Sequence, residues 1–187
     1  MNKLKEYIFS LTDFSEESWA ICSGCLTETK LKRNEALLKE GQICNAIFFI
    51  ETGLCKSVFN RDGKEVNTAF YFENEFATNI KSLTMGSPSE YSIVACEKSV
   101  VIRLDKSGLL EAYRKSHEVE AFGRKTLEAI TARQEEETND FKLLSPQQRY
   151  QKLALEHPDF LQRVSLTQLA SYLGISRETM SRIRARR

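Results

Sequence analysis

The chain has 187 residues, 41% hydrophobic and 28% charged, a composition that supports a folded core and excludes disorder as the main state. Lysine and arginine number 27 against 26 aspartates and glutamates, a net +1, which taken whole argues against a strongly basic nucleic-acid binder. The longest unbroken apolar run, Ala46 to Ile50, is far short of the ~18 residues a membrane span requires, and the amino terminus does not read as a signal peptide. A soluble, cytoplasmic protein with no membrane partner is therefore expected. The five cysteines are an odd number in a chain too large to depend on disulfide staples, so free thiols are expected.

From about Leu31 to Leu104 the chain reads as short strands. The bursts AIFFI, LCKSVF, NTAFYF, YSIVA and VVIRL are rich in β-branched and aromatic side chains and are separated by Gly, Asn and Asp. Asp62-Gly63 marks a tight hairpin turn, and Gly41 and Gly53 mark strand ends. Many short strands at this spacing predict a small barrel or jelly roll.

From Asp105 to about Leu144 there is no proline and only two glycines, and Glu, Ala, Lys, Arg and Leu dominate, which predicts a long helix. Val119, Phe122, Thr126, Leu127 and Ile130 recur at helical spacing, and the expectation is that this stripe packs against a partner helix in a homodimer, the alternative being a helix that lies on its own β body. Ser145-Pro146 then stops and restarts the chain. Residues 145–187 hold eight basic against three acidic side chains, +5, which leaves −4 on residues 1–144. The near-neutral total thus hides a basic carboxyl-terminal region on an acidic body, an asymmetry that points to nucleic acid.

The most informative segment is SLTQLASYLGISRETMSRIR, beginning at Ser165. Ser165 and Gln168 form a capping box that starts a helix whose inner face is Leu166, Leu169, Ala170 and Leu173. Gly174 follows, where a helix ends in a left-handed residue, and Ser176 caps a second helix with Met180 and Ile183 turned inward. This spacing predicts a helix-turn-helix, whose second helix enters the major groove of double-stranded DNA. Arg177, Glu178 and Arg182 are the expected base-reading residues, since Arg pairs with guanine and Glu accepts from cytosine. Thr167, Ser176, Thr179, Ser181 and Arg184 are expected on phosphates, with the terminal Arg186 and Arg187 adding charge.

These residues, SRETMSRI after LASYLG, resemble the DNA-reading element of the Crp/Fnr family of bacterial transcription regulators, and LLKEGQICNAIFFIETGLCKSVFNRDGKEV resembles the first half of that family's cyclic-nucleotide-binding β-roll. The resemblance implies an α+β architecture: a double-stranded β-helix or jelly-roll sensor over residues 1–116 with flanking helices, a dimerisation helix over 117–144, and a helix-turn-helix domain over 145–187. The sequence runs five residues past Arg182, so the family's winged-helix domain is expected in reduced form. The resemblance also implies a palindromic operator with a TGTGA-like half-site, a homodimer, and RNA polymerase as a further partner.

The sequence departs from the family where relatives hold a cyclic nucleotide. Thr78-Asn79 stands in place of the Gly-Glu pair that engages the ribose, and Tyr91-Ser92 in place of the Arg-Ser pair that neutralises the phosphate; Lys81 is the nearby cation. Tyrosine does not replace a guanidinium at a phosphodiester. The expected effector pocket is therefore Thr78, Asn79, Lys81, Tyr91 and Ser92, with cyclic AMP not bound in the usual way and no cofactor required. Cys22-Ser-Gly-Cys25 has the spacing of a redox or metal pair, but relatives with an iron–sulfur cluster use three clustered cysteines and a distant fourth, and Cys44, Cys55 and Cys96 are scattered. No metal site is expected. With no histidine between Leu31 and Leu104, a cupin-like metalloenzyme fails on ligand count. The expectation is a non-enzymatic, sequence-specific transcription regulator; the alternative is a β-roll that binds proteins or small ligands and touches DNA only weakly.

Overall fold

The computed structural model describes residues 2–185. Helices α1 (Asn2–Leu11) and α2 (Glu16–Ser23) precede strands β1 (Leu26–Leu31), β2 (Ala36–Leu38), β3 (Ala46–Thr52), β4 (Cys55–Arg61), β5 (Lys64–Tyr71) and β6 (Phe76–Ala77). A short helix α3 (Ile80–Met85) leads into β7 (Ser92–Ala95) and β8 (Ser99–Asp105). Helices α4 (Lys106–Lys115), α5 (His117–Leu143), α6 (Pro146–Glu156), α7 (Phe160–Arg163), α8 (Leu166–Leu173) and α9 (Arg177–Ala185) complete the described chain.

The strands make two antiparallel four-stranded sheets, ordered β1-β8-β3-β6 and β2-β7-β4-β5, closed on each other as a β-roll. The Asp62-Gly63 turn joins β4 to β5 with both residues at positive φ, 52° and 78°, the turn twist that matches right-twisted strands. The alternation of side chains along β3 explains its unbroken apolar run. Ala46, Phe48 and Ile50 fill the roll's interior, whereas Ile47 and Phe49 leave the other face and pack under α1, α2, α4 and α5. β5 behaves likewise: Ala69 and Tyr71 point into the roll, while Phe70 points outward. β3 and the Ala69–Tyr71 end of β5 are buried on two sides and so lack polar alternation.

The helical stretch expected from Asp105 to Leu144 is broken at Ser116, which adopts extended backbone (φ −149°, ψ 121°) and caps α5 by accepting from the Val119 N–H at 3.3 Å. The Ser116 hydroxyl also meets that of Ser18 on α2 at 2.7 Å, so the break is fixed by packing as well as by capping.

The stripe on α5 is real but its expected partner is corrected. Val119, Phe122 and Ile130 belong to the core shared with α1, α2, α4 and the first sheet, and Thr126 is 1% exposed beside them. These four side chains are consumed by the protein's own body. Of the five residues expected at a dimer interface, only Leu127 faces outward.

The carboxyl-terminal helices pack on the outer face of the second sheet. Leu54, Phe70, Phe72 and Cys96 share one core with Tyr150, Leu153, Phe160, Leu169, Ala170, Leu173 and Met180. Phe70 meets the Phe160 ring edge-on at 4.7 Å and Tyr172 at 5.2 Å. Arg186 and Arg187, read as further phosphate charges, lie outside the described residues.

Candidate functional site

The pair α8–α9 forms as its sequence dictates. Ser165 accepts from the Gln168 N–H at 3.2 Å while the Gln168 side chain accepts from the Ser165 N–H at 2.9 Å, which satisfies orphan donors at the helix start. Gly174 closes α8 at φ 69° and its N–H returns to the carbonyls of Ala170 and Ser171. Ser176 then accepts from the Thr179 N–H at 3.2 Å, opening α9. Met180 is fully buried beneath the helix, and Ile183 is partly buried beside it.

Arg177, Glu178, Ser181, Arg182 and Arg184 are all exposed on the other side of α9. The structure thus brings the three expected base readers onto one free face. Arg182 donates to the Thr179 hydroxyl at 3.3 Å, which holds its guanidinium along the helix. The Glu178 carboxyl is held below the ordinary range by its own backbone N–H and the Ser176 hydroxyl, with Arg177 and Arg182 adding to the effect, so it stays an acceptor. Among the expected phosphate contacts, Thr167 and Ser176 are exposed, whereas Thr179 is half-buried and tied to Ser176 and Arg182.

The head is anchored at three points that sequence reasoning missed. Arg163, at the end of α7, donates to both carboxylate oxygens of Glu73 at 2.8 and 3.0 Å and to Glu97 at 2.7 and 3.2 Å. Asn67 on β5 donates its N–H to the Ser171 hydroxyl at 3.0 Å and its side-chain amide to the Gln168 carbonyl at 3.1 Å. Arg149 on α6 donates to the carbonyls of Phe141, Leu144 and Leu173 at 2.9, 3.1 and 2.7 Å and lies 4.2 Å over the Phe141 ring. Its guanidinium therefore ties the end of α5 to the end of α8. The outward faces of Phe70 and Phe72 were the available sequence signal, since a strand apolar on both faces must be covered on both.

The expected effector residues sit around α3, and each is engaged by a partner within the protein. Thr78 is buried and donates its hydroxyl to the Ala46 carbonyl at 3.0 Å. Asn79 caps α3 by accepting from the Ser82 N–H at 3.0 Å and donates to the Ser89 hydroxyl at 2.9 Å. Tyr91 reaches across to donate to the Thr78 carbonyl at 3.2 Å, its ring 5.1 Å from that of Phe59. Burial pushes its phenol well above the usual range, so it remains a neutral donor. Lys81 faces solvent in an ion pair with Glu90 at 2.6 Å, and Ser92 accepts from the Glu40 N–H at 2.9 Å.

The cavity between these residues and α5 measures about 160 Å³ and is lined by Ser57, Thr68, Tyr71, Thr78, Tyr91, Arg133, Gln134 and Glu137, among others. Pockets that take drug-sized molecules run from roughly 300 Å³ upward. Its lining cation, Arg133, is already paired with Glu75 at 2.6 Å and Glu137 at 3.1 Å. The tyrosine hydroxyl in this cavity is thus committed to a carbonyl, and its arginine to two carboxylates.

A β-roll is thus joined through a long helix to a carboxyl-terminal helix pair docked on its second sheet. Residues 28–116 match the cyclic nucleotide-binding domain family, and the chain has the fold of Crp/Fnr-type regulators. It is similar to FixK2 from Bradyrhizobium japonicum, at TM-score 0.70 and 22% identity over 86% of this chain and 83% of that one. It is also similar to CLP, the c-di-GMP responsive global regulator of Xanthomonas campestris, at TM-score 0.67 and 14% identity over 92% and 91% of the two chains. The catabolite activator protein of Thermus thermophilus aligns at TM-score 0.55 and 20% identity over 92% and 83%. A comparison with curated protein sequences finds no significant match. No described helix is long and apolar enough to cross a membrane, and the described residues hold no group of three or more His, Cys, Asp or Glu placed to bind a metal.

Proposed function

We propose that the protein is a sequence-specific DNA-binding transcription regulator that acts as a homodimer, with a β-roll that does not take cyclic AMP in the family's usual way. The observation that carries the reading is the free face of α9, where Arg177, Glu178 and Arg182 project together while Met180 anchors the helix from below. Side chains so placed match the hydrogen-bonding edges of G·C pairs in the major groove, and the +5 on residues 145–187 supplies phosphate attraction against a −4 body.

Dimerisation uses the outward side of α5. Leu127, Thr131 and Ala132 lie with Gly123 and Tyr113 along an open groove of about 670 Å³, rimmed by Arg124, Glu128 and Glu135. A second copy related by a two-fold axis presents the same groove, and two heads then face a palindromic operator.

The test is selection of duplexes from a random-sequence pool by the full chain, with affinity then followed as salt is raised. A two-fold-symmetric consensus is the expected product, with log K falling by about 0.9 per log unit of salt for each phosphate neutralised. Recovery of random sequence overturns the reading and favours an interaction module with weak DNA binding.

A further inference from the structure

The Cys22-Ser-Gly-Cys25 motif plays no part in the proposed DNA reading. α2 ends at Ser23, but Gly24 keeps helical backbone (φ −63°, ψ −20°), and the Cys25 N–H donates to the Cys22 carbonyl at 3.1 Å. This extra turn places residues three apart on one side of the chain. The Cys25 thiol also donates to the Cys22 carbonyl at 2.9 Å, which places its sulfur against the turn that carries Cys22.

The two sulfurs are unequal. Cys22 is fully buried in the helix-layer core with Val119 and Phe122, whereas Cys25 is half-buried at its edge. The hydrogen bond from Cys22 holds the Cys25 thiol below its ordinary range, and the same bond together with burial pushes Cys22 up. The remaining thiols contrast with the pair: Cys44 is buried, and burial pushes Cys55 up to about 12 and Cys96 to about 11. Thiolate character and access decide thiol reactivity, and both single out Cys25.

The geometry points to Cys22 and Cys25 as a redox-active dithiol that reacts with low-molecular-weight disulfides. The Cys25 thiolate attacks one sulfur of the disulfide RSSR, forming a mixed disulfide and releasing RS⁻. Cys22 gives up its proton and attacks the Cys25 sulfur, so the Cys22–Cys25 bond forms as the mixed disulfide breaks and the second thiolate leaves. Two cysteine thiols are oxidised, and RSSR is reduced to two RSH.

The pair is wired to α5. Cys25 packs into the space left by Gly108 on α4, where a Cβ would lie 2.5 Å from its own. Farther along α4, the Tyr113 ring occupies the hollow at Gly123 of α5, its hydroxyl 2.0 Å from where a Cβ would stand. Helix α4 thus contacts both the cysteine pair and the amino-terminal part of α5.

The test treats the reduced full chain with oxidised glutathione, quenches by alkylation and maps the products by mass spectrometry, with the single tryptophan, Trp19 on α2, as an optical reporter. An internal 22–25 disulfide is expected, with Cys44, Cys55 and Cys96 modified at least about tenfold more slowly. Cys22→Ser should trap one glutathione on Cys25, and Cys25→Ser should leave residue 22 unmodified with Trp19 emission insensitive to the oxidant. Circular dichroism of both variants establishes that they fold. Modification of Cys44, Cys55 or Cys96 ahead of Cys25, no trapped adduct in folded Cys22→Ser, or no 22–25 disulfide in the parent chain would each overturn the assignment.

Discussion

Arg163 grips Glu73 with two parallel hydrogen bonds, 2.8 and 3.0 Å long, across the boundary between the β-roll and the carboxyl-terminal helices. The fork matches a carboxylate better than any lysine could, and Glu97 accepts from the same guanidinium. Both partners keep some water, with side-chain exposures of 22% and 29%, so Arg163→Met should cost about 1–2 kcal/mol rather than the larger penalty of a fully buried pair. The same change should raise backbone hydrogen exchange in α8 before it affects α1 or α2. Burial alone would raise the Glu73 carboxyl, but the bonds from Arg163 and the Gly53 N–H outweigh it and hold it below the ordinary range. A depressed folded-state value stabilises above the unfolded pKa, and the benefit disappears as pH falls through the folded one. Head docking should therefore be intact at neutral pH and weaken below about pH 4.3, the ordinary glutamate value, with the Arg163→Met chain losing less over that interval.

Arg182→Ala should reduce affinity for a selected palindromic duplex by about fivefold to 150-fold, the ~1–3 kcal/mol of a lost bidentate base contact, while affinity for random duplex falls far less. Melting temperature should not change, because the side chain is exposed. Anisotropy titrations on both duplexes make the comparison. An equal loss on each would assign Arg182 to phosphate instead of base.

The two sides of α5 should respond differently to substitution. Phe122 is 1% exposed in the chain's own core, so Phe122→Ala should cost about 3–5 kcal/mol of folding stability. Leu127 faces the open groove at 37% exposure, and Leu127→Glu should leave the fold intact while shifting the molecule from dimer to monomer. Sedimentation beside thermal melting separates the effects.

Cyclic AMP at millimolar concentration should leave the melting temperature of the reduced chain unchanged. A ligand at a hundred times its dissociation constant would add about 2.7 kcal/mol, readily seen in a melt. Tyr91→Phe removes only the bond to the Thr78 carbonyl and should cost about 1 kcal/mol without creating nucleotide binding. Stabilisation of either chain would show that the pocket opens further than its present 160 Å³.

Local chemistry was legible wherever a residue type has one conformational use. Asp62-Gly63 announced its turn, and Ser165, Gln168 and Gly174 marked both ends of α8. Periodicity identified Val119, Phe122, Thr126 and Ile130 as a buried face but not what buries it, because a stripe facing a second copy and a stripe facing one's own sheet have the same spacing. Arg163, Glu73 and Glu97 were invisible for a related reason: they are 90 and 66 residues apart along the chain, and solvated charges look the same in a sequence until the fold brings them together. Helix α6, with its Ser145–Gln148 capping box, was readable and passed over behind the proline.

β5 is the last strand of its sheet, and α8 covers its open side: Ser171 accepts from the Asn67 N–H and donates to the Glu65 carbonyl at 3.3 Å. A serine hydroxyl thus serves as a substitute for a neighbouring strand. Any state in which the head swings away leaves that N–H and carbonyl bare, beside the exposed rings of Phe70 and Phe72. An unpaired strand with an apolar flank is a template for strand addition. A released form would therefore be the one most prone to self-association.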